Sequence, residues 1–446
     1  MAATTRVALI GGASLNWSPT FLGDLFSTAE LDGSSLVLID IDAPALELMG
    51  VFAARLQAAA GSSWRVETTT DRRAGLRGAE VVAITLTVGG FETMAVDLAL
   101  PARYGIAQSV GDTVGPGGLA RALRNIPVLA AIGSDVADIC PGAVVLNYTN
   151  PLSVLTRTLA LTAPGVTVVG LCHELPGVMG RLRRLFGLAP EAPYRARLAG
   201  VNHFTWLLDF QLGGRDGYRM LDSYLAEHPQ RLPYEGDLPG TPSSVFEDRL
   251  ALKLWLYRTH GLLPAAGDRH LAEFLPGILS PTLGRGAVFG IELTTIEHRR
   301  AARARRRAWV EAVAIGAETP EPARSQEKLA EFTLALAEGR EATHVLNLPN
   351  QGQAANLPRE AVVETMGVIG PGGAHPIASG DLPPAVRALV LPHVLRQELT
   401  VEAGLRGDRR LALEALASDP LIANPLDAAP LLDELLAAHA AYLPQF

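Results

Sequence analysis

The chain has 446 residues, 48% of them hydrophobic and 19% charged, the composition of an ordinary globular protein without a low-complexity tail. That length exceeds what one core usually supports, so two closely associated domains are expected, 1–196 and 197–446. A formal net charge of -8 argues against nucleic acid and membrane surfaces as partners and leaves small molecules.

The opening residues lack the charged region and long apolar stretch of a secretory leader. No apolar run reaches membrane-spanning length, so a cytoplasmic location is expected. The first strand, Val7 to Ile10, opens into Gly11-Gly12-Ala13-Ser14-Leu15-Asn16, and the second, Leu36 to Ile39, ends in Asp40-Ile41-Asp42. Small residues at such a turn let the backbone approach a pyrophosphate, and an acid after the second strand accepts both ribose hydroxyls. The full Gly-x-Gly-x-x-Gly pattern is absent, because Ala13 stands at its second glycine and Leu15 and Asn16 supply no third. A tight structural turn is the competing explanation. Strand context and Asp40 favour nucleotide binding, and a carboxylate at Asp40 favours NAD over NADP by repelling a 2'-phosphate.

Further strand-like runs are Val81 to Leu86, Val144 to Leu146 and Val166 to Leu171, with helical patterns over Ala43 to Ala58 and Gly118 to Ile139. The alternation predicts beta-alpha-beta units: an α/β, Rossmann-like parallel sheet with ligands at the carboxyl ends of its strands. Residues 105–118 carry five glycines and a single acid, Asp112, and read as a loop shaped around something. In Asn147-Tyr148-Thr149-Asn150-Pro151, Pro151 suits the first turn of a helix, and Asn150 serves equally well as its cap or as a substrate contact.

Cys172 and His203 each follow an apolar, strand-like run, in Val168-Val169-Gly170-Leu171-Cys172-His173-Glu174 and Gly200-Val201-Asn202-His203-Phe204. A thiolate with an imidazole favours a transition metal over magnesium or calcium. Two cysteines are too few for a disulfide scaffold, and Cys140 reads as a small buried hydrophobe. Strand-like residues near Leu198 to Leu212 mix with helices over Ser243 to His260, Glu327 to Ala337 and Pro384 to Ala403, which suggests a second, α+β domain. The run His298-Arg299-Arg300 to Arg305-Arg306-Arg307 reads as a solvated helix face. Asn350-Gln351-Gly352-Gln353 and Asn356 read as turn hydrogen bonding.

The Gly11–Ser14 turn, Gly115-Pro116-Gly117-Gly118, Asn147–Pro151, Cys172-His173-Glu174 and Gly200–His203, in this order, resemble the family-4 glycoside hydrolases nearly end to end. Gln108–Val114, Pro264–Pro276 and Leu348–Gln353 look most like the bacterial alpha-galacturonidases of that family. The resemblance implies a fold similar to lactate and malate dehydrogenases, bound NAD, a divalent metal, manganese foremost, and a homodimer or homotetramer. It also implies a mechanism outside the usual two-carboxylate hydrolysis: oxidation at C3 of the sugar, metal-assisted elimination across C1 and C2, water addition and re-reduction.

Carried over by position, Cys172 and His203 match the metal ligands. Gly11, Gly12, Ala13, Ser14, Leu15, Asp40 and Asn150 fall at the cofactor. Asn150, Glu174 and Asn202 face the sugar, and Arg269 suits a uronic acid carboxylate, with Arg103 and Arg121 as alternatives. His173 is the candidate general acid. Several relatives use a tyrosine as the C2 base, but Gly267-Asp268-Arg269-His270 contains none. His270 takes its place, with Asp268 to orient or replace it, and Asp112 joins these catalytic candidates. The reading is a glycosidase acting on alpha-galacturonides from pectin. Its alternatives are the same mechanism on a glucuronide or galactoside, an NAD-dependent sugar or hydroxy-acid dehydrogenase, and a non-catalytic NAD sensor.

Overall fold

A computed structural model describes residues 4–228 and 248–446. Among the described residues, twelve strands form one sheet: β1 (Arg6–Ile10), β2 (Ser35–Ile39), β3 (Arg65–Thr69), β4 (Val81–Ile84), β5 (Val144–Asn147), β6 (Thr167–Gly170), β7 (Tyr194–Val201), β8 (Phe204–Leu212), β9 (Arg215–Asp216), β10 (Ala342–Pro349), β11 (Val362–Gly370) and β12 (Gly373–Pro376). Their order is β3-β2-β1-β4-β5-β6-β10-β11-β7-β8-β9, with β12 beside β11. The first six strands are parallel. Their sequence of neighbours is the Rossmann order, with a crevice where β1 has β2 on one side and β4 on the other.

Alternation along these strands explains why both faces are covered. Val7 and Leu9 pack into one core with Leu36 and Leu38, while Ala8 and Ile10 pack into another with Val37 and Ile39. A sheet buried on both faces reads as the continuous apolar runs seen in the sequence. β3 was not legible there, because Arg65–Thr69 is a largely exposed edge strand with little apolar content. The helix Ala43–Ala60 matches its sequence pattern, with Asp42 accepting from Ala45 N as a cap.

The helix expected from Gly118 begins earlier, at Gly115, and runs to Ile139. Gly115-Pro116-Gly117-Gly118 therefore forms its first turn rather than the end of a loop. Proline suits that position, and a Cβ on Gly118 would stand 2.6 Å from the Thr113 carbonyl carbon, so close approach to the preceding loop requires glycine. The helix Leu152–Thr162 is capped at Pro151 without a side-chain bond, which removes capping as the role of Asn150.

The antiparallel strands extend the parallel sheet. β10 meets β6 at Asn347 opposite Gly170, and β11 meets β7 at Glu364 opposite Gly200. β7 and β8 form a hairpin whose two turn residues are Asn202 and His203. This brings the end of β6, the hairpin tip and β11 to one place. Behind the tip, Phe204 stacks on Phe274 with ring centroids 4.9 Å apart. Both are fully buried in a core that includes the helix Pro384–Arg406. The helix expected over Ser243–His260 is described as Ala251–His260, and 243–247 lie outside the described residues. No described helix is long and apolar enough to cross a membrane.

Candidate active site

His203 has φ of 65° at the hairpin tip. Tight two-residue hairpins use this left-handed region, but a non-glycine residue is uncommon there and is tolerated where surrounding structure fixes it. What fixes it is packing on two sides. Its ring stacks on His270 with centroids 3.7 Å apart and 25° between planes. Phe204, its chain neighbour, stacks on Phe274 of the helix Asp268–Phe274, which also carries His270.

Thr113 determines the protonation of that ring. Its hydroxyl lies 2.7 Å from Asp112 Oδ1 and 3.0 Å from His203 Nδ1. A carboxylate only accepts, so the single hydroxyl proton goes to Asp112 and His203 Nδ1 must carry the proton that the Thr113 oxygen accepts. Nε2 of His203 is then the lone-pair nitrogen. Burial, followed by the neighbouring His270, lowers the His203 pKa to about 3. Burial likewise lowers His270 to about 4. Both imidazoles are neutral at physiological pH, the form that ligates a metal or accepts a proton.

Asp112 completes the cluster. Among the described residues, Asp112, His203 and His270 offer donor atoms all within 4.8 Å of one another. Burial would raise the Asp112 pKa, but His270, Arg121, Arg299 and His203 outweigh it and hold the carboxyl well below its usual range. With the imidazoles neutral, Arg121 and Arg299 supply the positive field at physiological pH. Two nitrogens and an oxygen suit a transition-metal ion, and the Thr113 bond is the outer contact such a ligand histidine requires. Cys172 lies outside this three-residue group. Burial, then Glu364 and Glu174, pushes its thiol well above the usual value, against bonding from Glu174 N and the Asn202 side chain.

The other expected residues fall in several places. Glu174 joins the cluster, with Oε1 3.6 Å from His270 Nε2 and Oε2 accepting from Gly267 N. Asn202 donates to Glu364 Oε2 at 3.0 Å. His173, half exposed, pairs through Nδ1 with Glu327 at 2.9 Å, and this bond raises its pKa to about 9 despite opposing burial. Arg269 donates to Thr294 Oγ1 and, at 3.3 Å, to Ser109 O. Arg103 makes an exposed ion pair with Glu434, whereas Arg121 is buried and donates to Asn150 O at 2.8 Å.

Asp268 requires a correction. Its carboxylate accepts from Leu252 N, Lys253 N and Lys253 Nζ, at 3.0, 3.1 and 2.8 Å, in a buried group shared with Asp248. It therefore does not orient His270, whose buried Nδ1 has no hydrogen-bond partner among the described residues. Asn350 and Gln353 bond main-chain groups of their own turn, as the turn reading expects, whereas Asn356 pairs with the main chain of Leu382, donating to its O at 2.8 Å and accepting from its N at 3.0 Å.

At the β1 crevice, Gly11 has φ of 84°, and a Cβ there would stand 1.6 Å from Thr85 O. Gly11 N and Gly12 N both donate to Ile39 O at 2.9 Å. Asp40 Oδ2 accepts from Ala13 N at 3.0 Å, and the Ser14 hydroxyl accepts from Trp17 N. Leu15 is partly buried beside this turn. These contacts bind the first turn to the end of β2.

Sequence reasoning missed Glu364, Thr113 as an orienting group, and Glu327. Glu364 is buried in β11 and accepts from Thr205, Asn202 and Asn347 at 2.6, 3.0 and 2.7 Å. A single acid in the apolar run Val362–Gly370 was its available signal.

The alpha-galacturonidase of Bacillus subtilis (strain 168) is 36% identical over 97% of this chain and 96% of its own length. An alpha-galacturonidase of Lachnoclostridium phytofermentans is 34% identical over 99% and 97%. A crystal structure of a putative glucosidase from Bacillus subtilis superposes with a TM-score of 0.90 at 34% identity, covering 97% of this chain and all of that one. A 6-phospho-alpha-glucosidase from gut microorganisms, solved with NAD and Mn2+, has a TM-score of 0.82 at 21% identity over 99% and 100% of the two chains. The fold also matches Cryptosporidium parvum malate dehydrogenase, with a TM-score of 0.53 at 13% identity over 90% and 99%, as the Rossmann-like reading expected. The family 4 glycosyl hydrolase model matches residues 6–188, and the model of that family's C-terminal domain matches 198–422. The chain is a member of glycosyl hydrolase family 4.

Proposed function

We propose that this glycosidase cleaves alpha-galacturonides with NAD and a divalent metal, manganese foremost. The observation carrying this reading is the cluster of Asp112 and two neutral imidazoles, His203 buried and the other two partly so, with His203 held in one tautomer by Thr113. Full-length similarity to alpha-galacturonidases supports the choice of sugar. When bound, the NAD supplies hydride transfer at a sugar carbon, and the metal supplies Lewis-acid polarisation of the adjacent oxygens.

The chain's residues divide the remaining work. Gly11, Gly12, Ala13, Ser14 and Leu15 shape the phosphate turn, Asp40 takes the ribose hydroxyls, and Asn150 contacts cofactor and sugar. His203, through Nε2, and Cys172 hold the metal, with Asp112 within reach of the same position. His270 is neutral and accepts the C2 proton. Glu174 sits beside it to orient the ring or the sugar. His173 is kept protonated through neutral pH by Glu327 and donates to the leaving oxygen. Asn202 positions the sugar beside Cys172, and Arg269 meets the uronate carboxylate. Asp268 fixes the start of the helix carrying His270 and moves no proton. The protein works as a homodimer or homotetramer.

The test is release of 4-nitrophenol from its alpha-galacturonide with NAD, Mn2+ and a thiol reductant, and with each omitted, while NADH absorbance is followed. The reading expects cleavage that requires NAD and metal without NADH accumulation. Cleavage of only a neutral galactoside or a glucuronide would reassign the sugar. Stoichiometric NADH release would replace the glycosidase reading with a dehydrogenase.

A further inference from the structure

Most of the basic run on the helix Ile296–Ala314 is an exposed face, as its sequence suggests. Arg300 and Arg307 pair with Glu92 and Glu311 at 2.8 and 2.7 Å, and Arg303 and Arg306 lie over the Phe91 and Trp309 rings. Arg299 departs from the pattern. It is largely buried, donates through Nη2 to Val110 O at 2.8 Å, and has a buried Nε without a hydrogen-bond partner among the described residues. Among those residues no carboxylate forms an ion pair with it. Arg121 is in the same position, bonding the neutral acceptors Asn150 O and Thr87 Oγ1, both at 2.8 Å.

Stability alone does not account for Arg299. A cation in the first turn of a helix opposes the helix dipole, and a desolvated guanidinium without a contacting carboxylate is costly. Its acceptor Val110 stands two residues before Asp112, in a loop whose Val110 N and Gly111 N donate to Glu273, so Arg299 faces the loop that carries the active-site cluster rather than the outer surface. The cluster carries the Asp112 and Glu174 carboxylates, yet among the described residues neither forms an ion pair with Arg299 or Arg121. The site is matched to a ligand that brings a negative charge with it.

We propose that Arg299 is a specificity-determining residue that binds the carboxylate of an acidic sugar, with Val110 O holding its guanidinium in place. This rests on the uronide reading and adds to it a second cation besides Arg269, from a helix whose basic run looks merely solvated. Guanidinium geometry matches a carboxylate at two points, which lysine does not reproduce.

The experiment compares wild type, Arg299→Gln and Arg299→Lys as holoenzymes with NAD and Mn2+, on 4-nitrophenyl alpha-galacturonide and 4-nitrophenyl alpha-galactoside. Arg299→Gln is expected to raise KM for the uronide by about 30-fold or more, the usual scale for losing one partner of a buried charge pair. Preference for uronide over galactoside should fall by a similar factor, with kcat much less affected. Arg299→Lys should fall between the two and provides the comparison if the glutamine variant does not fold. Equal kcat losses on both substrates with preference intact would overturn the proposal and leave Arg299 as a brace for the 109–113 loop. A wild-type enzyme that prefers the neutral galactoside would instead overturn the uronide reading and remove the premise for Arg299.

Discussion

Thr113→Val removes one hydroxyl while preserving side-chain shape, which makes it a direct probe of the cluster. The buried hydroxyl bridges Asp112 Oδ1 and His203 Nδ1 at 2.7 and 3.0 Å. Without it, the His203 Nδ1 proton has no acceptor, a cost of about 1–3 kcal/mol for a buried donor. The ring can escape that cost by shifting its proton to Nε2, which removes the lone pair that would hold the metal. Outer contacts of metal ligands are worth about 10–100-fold in affinity, or about 1.4–2.8 kcal/mol, the same scale reached independently. Mn2+ affinity, read from the electron paramagnetic resonance of the free ion, should weaken by about 10–100-fold. Thr113→Ser should restore it, and NAD affinity should be unchanged. A valine variant that binds Mn2+ within about twofold of wild type, far below the usual outer-contact effect, would refute this account of the tautomer.

Other substitutions test different links. Arg124 and Asp97 form a fully buried pair at 2.7 Å, with His439 2.9 Å from the same carboxylate. Arg124→Met strands that charge and should cost about 3–5 kcal/mol in denaturant unfolding; a loss below about 1 kcal/mol, the scale of exposed pairs, would contradict the pairing. Phe204→Ala should cost a similar amount, about 3–5 kcal/mol, and should lower kcat as well because the ring anchors His203 against the His270 helix. An unchanged kcat in the folded variant would separate packing from catalysis. The Glu327 bond raises the His173 pKa from 6.5 to about 9, so protonated His173 persists through neutral pH and is lost as pH rises through about 9. Glu327→Gln should move the alkaline limb of kcat/KM to lower pH, toward 6.5, and an unmoved limb would exclude His173 as the titrating acid.

Much of the fold was legible because buried parallel strands write continuous apolar runs. The runs at Val7, Leu36, Val81, Val144 and Val166 all became strands. β3 was not, since its polar, exposed residues carry no burial signal. Gly115–Gly118 reads locally as a loop, yet forms a helix turn because Gly118 must pass close to Thr113. For the site, local order marks His203 and His270 as candidates, but their stacking depends on a hairpin meeting a helix far along the chain. Asp268 stands beside them in sequence yet points to Lys253, because successive helix residues face different directions. Arg299 sits among exposed arginines, and only the position of Val110 distinguishes it.

The most direct measurement of the central claim is cleavage of an alpha-galacturonide in D2O with NAD and Mn2+, followed by NMR of the released sugar. The account expects deuterium bound to C2 of galacturonate, because His270 removes that proton during cleavage and the solvent replaces it. Efficient, NAD-dependent release of galacturonate that retains protium at C2 would contradict it.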